Sequence, residues 1–187
     1  MDALLSAFVA AGLAEWGDKS QLVVAALAAR SGRPGLVLAG LLVAALLSSA
    51  AAAAAGMLIS GTITIRAMSL MVALALLFAG IAGLIRRGPP AIGSPKTPVI
   101  VAAAILCLAA AIGDRTQFIT FALAGRFDSP ALAAAGAAAG IFAASVPAAL
   151  LGASFGSAVP LRAIRIGGAF LFLITGFVVA VKALQLA

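Results

Sequence analysis

Glu15-Trp16-Gly17-Asp18-Lys19-Ser20-Gln21 returns 96 residues later as Ala111-Ile112-Gly113-Asp114-Arg115-Thr116-Gln117. Each copy sets a glycine, an acid, a base, a hydroxyl and an amide side by side inside an apolar run. Such a cluster is costly in hydrocarbon, where a charge loses its hydration, so its repetition calls for a function.

The same shift of 96 pairs Arg30 with Arg126, Pro34 with Pro130, Gly40 with Gly136 and Ser49 with Ser145. It also pairs Gly56 with Gly152, Arg66 with Arg162 and Gly80 with Gly176. Agreement at Ala and Leu would mean little in so biased a chain, whereas agreement at Asp, Gln, Arg and Pro establishes two copies. Six apolar runs are long enough to span a bilayer, at 3–29, 35–59, 67–85, 99–125, 130–157 and 163–186. About 20 helical residues cross the hydrocarbon, so the first, fourth and fifth runs predict a tilt or an interruption.

The expected fold is all-α: a polytopic membrane protein of six transmembrane helices, forming one membrane domain over 1–187. Repeat 1 covers 1–88, a Pro-rich linker 89–98, and repeat 2 covers 99–187. Three spans per copy is an odd number, so the second copy is expected to enter from the opposite side, as in inverted-repeat transporters. Loop charges agree. Arg30, Arg33, Arg86, Arg87, Lys96, Arg162 and Arg165 follow the first, third and fifth runs, against Arg66, Arg126 and Lys182 on the other side. Both termini are therefore expected outside and the linker in the cytoplasm.

Composition narrows the function. Of 187 residues 65% are hydrophobic and only 9% charged, with mean hydropathy +1.26, which excludes a soluble enzymatic domain. The net charge of +7 comes from bases at the ends of apolar runs, unlike the clustered polar face of a nucleic-acid binder. There is no His, which removes the commonest ligand of zinc, copper and nickel, and the single Cys107 excludes an internal disulfide. The opening Met1-Asp2 lacks a basic n-region, so the first run is expected to stay as a helix.

Glu15 and Asp18, three apart, are expected on one helix face, with Asp114 at matching depth in the other copy. Carboxylates, amide oxygens and hydroxyls meeting near the midplane make an oxygen site suited to hard or borderline divalent cations such as Ca²⁺ and Mn²⁺. Gly17 and Gly113 are expected to let the helix open and expose backbone carbonyls. Lys19 and Arg115 would compensate the acids when the site is empty, leaving a formal −1 from three carboxylates and two cations. Trp16, Ser49, Ser145 and Cys107 are read first as packing residues. The Phe residues show no mid-span cluster of the kind that would line an organic-solute cavity.

Glu15-Trp16-Gly17-Asp18-Lys19-Ser20 resembles the signature of the calcium/cation antiporter-2 family, whose small six-helix members carry two Glu-x-Gly-Asp-(Lys/Arg)-(Ser/Thr) motifs. The resemblance spans the chain in length, repeat and motif position. It implies an inner-membrane, multi-pass transporter exchanging Mn²⁺, or Ca²⁺, for protons by alternating access. The metal ligands would be Glu15, Asp18 and Asp114 with Ser20, Gln21, Thr116 and Gln117, and no cofactor is implied beyond the transported ion. Partners would be the divalent cation, protons and the lipid bilayer, without nucleic acid, and homo-oligomerisation stays open. Ala111 stands where the family has its second Glu, so weaker divalent binding and a changed coupling ratio are expected. Two rivals remain at this point: an exporter of small organic or amino-acid solutes, and a non-transporting structural or regulatory membrane protein.

Overall fold

A computed structural model describes residues 1–85, 88 and 97–185. Arg86, Arg87 and Lys96, on which the cytoplasmic placing of the linker leans, lie outside the described residues. Every regular element among the described residues is helical. In order they are α1 (Asp2–Glu15), α2 (Lys19–Ser31), α3 (Pro34–Ser60), α4 (Ile65–Leu84), α5 (Val99–Ala111), α6 (Arg115–Phe127), α7 (Pro130–Leu151), a 3₁₀ turn (Gly152–Ser154), α8 (Phe155–Ala158) and α9 (Leu161–Leu184).

The repeat reaches down to element boundaries. α1 ends at Glu15 and α5 at Ala111, while α2 and α6 each run 13 residues from Lys19 and Arg115. α3 and α7 start at Pro34 and Pro130, and α4 and α9 at Ile65 and Leu161. The local causes repeat as well. Pro34 and Pro130 sit where a helix lacks a use for the N–H, and Gly32 and Asp128 close the preceding helices in the left-handed region. Asp128 there, at φ 52°, is a residue type that tolerates that conformation.

Four helices are long and apolar enough to cross a membrane: 34–60, 65–84, 130–158 and 161–184. The pair α5 and α6, bent by 72° at its break, would make a fifth. The first run is divided into α1 and α2 and the fourth into α5 and α6, so the interruption expected for these runs falls inside the motifs. The fifth run is also interrupted, at Gly152, after Pro147 has removed one helical N–H.

Packing is close and built on small residues. α1 lies on α7, α3 on α5, and α4 on α9. A Cβ at Gly136 would collide with the Leu4 carbonyl oxygen, and one at Gly40 with that of Ile100, so these backbones touch directly. Leu4 and Ile100 are themselves 96 apart, so the two contacts are copies. Between α4 and α9, Gly80 meets Ala169 and Leu173 while Gly176 meets Ala73 and Leu77. Rising numbers on α4 therefore meet falling numbers on α9. The ends agree: Arg66 donates to the Ala183 and Leu184 carbonyls at 2.7 and 3.0 Å, and Arg165 to the Ile85 carbonyl. Lipid tails give no hydrophobic drive between helices, so backbone approach through Gly and Ala is what such packing rests on.

Candidate cation site

The motif spacing is explained by a turn. After α1, Trp16 has φ −62° and ψ 119°, Gly17 has φ 71°, and the Asp18 N–H donates to the Glu15 carbonyl at 3.0 Å. That is the form of a type II turn, whose third residue needs a positive φ and so favours glycine. After α5 the turn repeats, with Ile112 at φ −62° and ψ 120°, Gly113 at φ 70°, and Asp114 N–H to the Ala111 carbonyl at 3.1 Å. The next residue is then the N-cap of the following half-helix, a position that suits Asp. Gln21 Oε1 accepts from the Gly17 N–H at 2.8 Å and Gln117 Oε1 from the Gly113 N–H at 3.2 Å, so each amide braces its own turn. The expectation that Glu15 and Asp18 share a helix face is corrected here: the helix ends at Glu15 and Asp18 starts the next one.

The two turns are brought together. Arg115 of copy 2 reaches Asp18 of copy 1, Nη2 to Oδ1 at 3.5 Å, with the two side chains only 4% and 1% exposed. Its guanidinium passes Gly83 of α4, where a Cβ would stand 3.1 Å from Nη1. Beside this pair lies a cavity with about 20 Å³ open to a water-sized sphere, lined from copy 1 by Glu15, Ser20, Ser48 and Ser49. Copy 2 contributes Cys107, Ala111, Asp114, Thr116, Gln117 and Thr120. The buried Ser20 hydroxyl donates to Glu15 Oε1, and Asp114 Oδ2 accepts from the Thr116 N–H at 3.4 Å. Asp114 is half-buried, and it also borders a cleft of about 410 Å³ with Gln117, Phe118 and Phe121.

Most of the predicted residues thus meet around one volume, but not all. Glu15, Ser20, Asp114, Thr116 and Gln117 line it; Asp18 and Gln21 lie outside the lining. The Gln21 amide instead donates to the Ala144 carbonyl at 2.7 Å, tying α2 to α7. Arg115 is buried against Asp18, whereas Lys19 is exposed. Among the described residues no group of three or more His, Cys, Asp and Glu is assembled to hold a metal. The acids therefore share a cavity without forming a ready cage. Ser48 and Thr120 line it without having been singled out; Thr120 lies four residues beyond Thr116, a helical spacing that pointed to it. Cys107, read as packing, is buried and is one of the residues that line the same cavity. Phe118 packs near Phe78 and Phe121, with centroids 6.0 and 6.1 Å apart, and Phe118 and Phe121 wall the cleft beside Asp114.

A family model described as "Divalent cation/proton antiporter GDT1" matches residues 3–89 and 99–187, one match per copy. The chain belongs to the GDT1 family. That is a family of transporters, and its described activity, divalent cation/proton antiport, fits two acid-bearing motifs facing one small cavity. No match was found among curated proteins or solved structures. At each break the C-terminal end of one helix meets the N-terminal end of the next, so carbonyls and N–H groups without intrahelical partners lie side by side there.

Proposed function

We propose that this GDT1-family chain exports Mn²⁺, with Ca²⁺ as the alternative cargo, across the cell's inner membrane in exchange for entering protons. The observation that carries the proposal is the shared lining: Glu15 of one copy and Asp114 of the other border one cavity sized for a single ion or water. Two carboxylates are neutralised either by one divalent cation or by protons, and not by both at once. Exclusive occupancy of that kind couples the two flows. The assigned ligands are Glu15, Asp114, Ser20, Thr116 and Gln117. Asp18 is assigned a second role, exchanging Arg115 for the cation as the ion arrives, and Gln21 acts through the turn it braces.

Access alternates as the two halves rock about the shared site. Opposite threading of the halves is supported by the opposed directions of α4 and α9 and by the matched contacts of Gly40 and Gly136. Both termini face outside in this reading, on the strength of the bases that follow the first, third and fifth runs. A small organic solute is the second reading, and the Phe-walled cleft beside Asp114 is what favours it; the inner cavity is far below the few hundred Å³ or so that such ligands occupy. Purified protein in proteoliposomes under a pH gradient tests the assignment. Wild type should move Mn²⁺ against protons, and Glu15→Gln, Asp18→Asn and Asp114→Asn should each bring both fluxes close to background. Wild-type rates for Mn²⁺ and Ca²⁺ in all three would remove these residues from the site.

A further inference from the structure

Copy 2 lacks the acid that copy 1 has, yet its side of the cavity is not bare. Cys107 stands four residues before Ala111 on α5, one turn away on the same face, and both line the cavity. In copy 1 the arrangement is reversed. Glu15 is the donor there, and Ala11, the equivalent of Cys107, is a fully buried packing residue. Methyl followed by acid in copy 1 becomes thiol followed by methyl in copy 2. The thiol is free of any disulfide and 2% exposed.

A buried cysteine is ordinarily a packing residue, so the thiol alone identifies no ligand. Thr116 supplies the second observation. It is 4% exposed, its Oγ1 has no hydrogen-bond partner, and it lines the same cavity from the first turn of α6. A buried hydroxyl left without a partner costs free energy that an entering ligand recovers. Cys107, Thr116 with its unpartnered hydroxyl, Glu15 and Asp114 therefore line one ion-sized volume.

We propose that Cys107 Sγ is a metal ligand in this cavity and sets its preference among divalent cations, Cd²⁺ over Mn²⁺ over Ca²⁺. The inference rests on the cation-site reading above and adds the metal class. Carboxylates and hydroxyls alone favour hard ions, and one sulfur donor shifts the choice toward softer ones. The ligand form is the thiolate; its proton passes to water as the metal enters. The donors are not preassembled among the described residues, and ligation by Cys107 requires them to move inward on the ion.

The test is binding of Cd²⁺, Mn²⁺ and Ca²⁺ to the purified full chain, with the ultraviolet thiolate-to-cadmium charge-transfer band read alongside. Only one cysteine exists, so the band reports Cys107 alone. Wild type should show the band, and Cys107→Ser should abolish it. Loss of even an outer partner of a metal ligand costs about 10–100-fold in affinity, so the Cd²⁺-to-Ca²⁺ affinity ratio should fall at least about tenfold in Cys107→Ser. Thr116→Val should weaken all three ions while keeping the band at saturating Cd²⁺, which guards against a misfolded cysteine variant. No band in wild type, or an unchanged affinity ratio in Cys107→Ser, overturns the inference even if Mn²⁺/proton exchange is measured. A band without any cation/proton exchange in proteoliposomes would support Cys107 as a ligand and defeat the antiport reading instead.

Discussion

Ala111 is the residue where sequence and geometry meet most directly. It occupies the position of Glu15 in the second copy and lines the cavity, so a carboxylate placed there would face the ion. Two unit charges 4 Å apart attract by about 4 kcal/mol at an effective dielectric of 20, and desolvating the new acid takes back a large part of that. Ala111→Glu is therefore expected to tighten Mn²⁺ and Ca²⁺ binding by about tenfold, the equivalent of about 1.4 kcal/mol. Equilibrium binding to the purified protein checks this, and an unchanged affinity would mean that the cavity is not where the ion sits. The matched positions of Asp18 and Asp114 were legible in the repeat. Their pairing was not: Lys19 and Arg115 hold equivalent positions, but one is exposed and the other buried against Asp18. A sequence repeat describes both copies alike, while a single conformation need not.

At the scale of elements, the breaks in α1–α2 and α5–α6 decide what the motifs can do. Gly17 and Gly113 announced a local opening. The shared helix face of Glu15 and Asp18 failed because a spacing of three reads the same in a continuous helix and across a turn that ends one helix at Glu15 and starts the next after Asp18. Periodicity measures composition along the chain, and a turn with φ near +70° changes direction without changing composition. Helix pairing was likewise hidden. Gly40 and Gly136 were noted as a matched pair, but only the coordinates place them against the Ile100 and Leu4 carbonyls. Gly136→Ala should force α1 and α7 apart and lower stability by about 1–3 kcal/mol, the usual cost of overpacking. Gly35→Ala, with nothing within 4 Å of its Cβ, should leave stability unchanged or raise it by less than about 1 kcal/mol. Thermal unfolding in detergent compares the two, and equal midpoints would show that the α1–α7 contact is not tight.

At the scale of the molecule, the proposal stands on opposite threading of two equivalent halves. The pairing of α4 with α9 bears on it: Arg66 at the start of α4 meets the end of α9, and Arg165 near the start of α9 meets Ile85 at the end of α4. Equivalent helices that lie against each other in opposite directions fit the proposed entry from opposite sides of the bilayer. Under that proposal equivalent positions appear on opposite faces of the membrane. Thr62 and Ala158 are 96 apart and both are exposed, Thr62 in the turn before α4 and Ala158 at the end of α8, just before α9. With both termini outside, Thr62→Cys should react with a membrane-impermeant maleimide on intact cells, and Ala158→Cys only after permeabilisation. Ser31→Cys should behave like Ala158→Cys, and Asp128→Cys like Thr62→Cys, because α2 ends inside and α6 outside in this threading. The native Cys107 is buried and contributes little background. Labelling of Thr62→Cys and Ala158→Cys from the same side would mean that the halves thread alike, and a single cavity between them would then have no second face to open to.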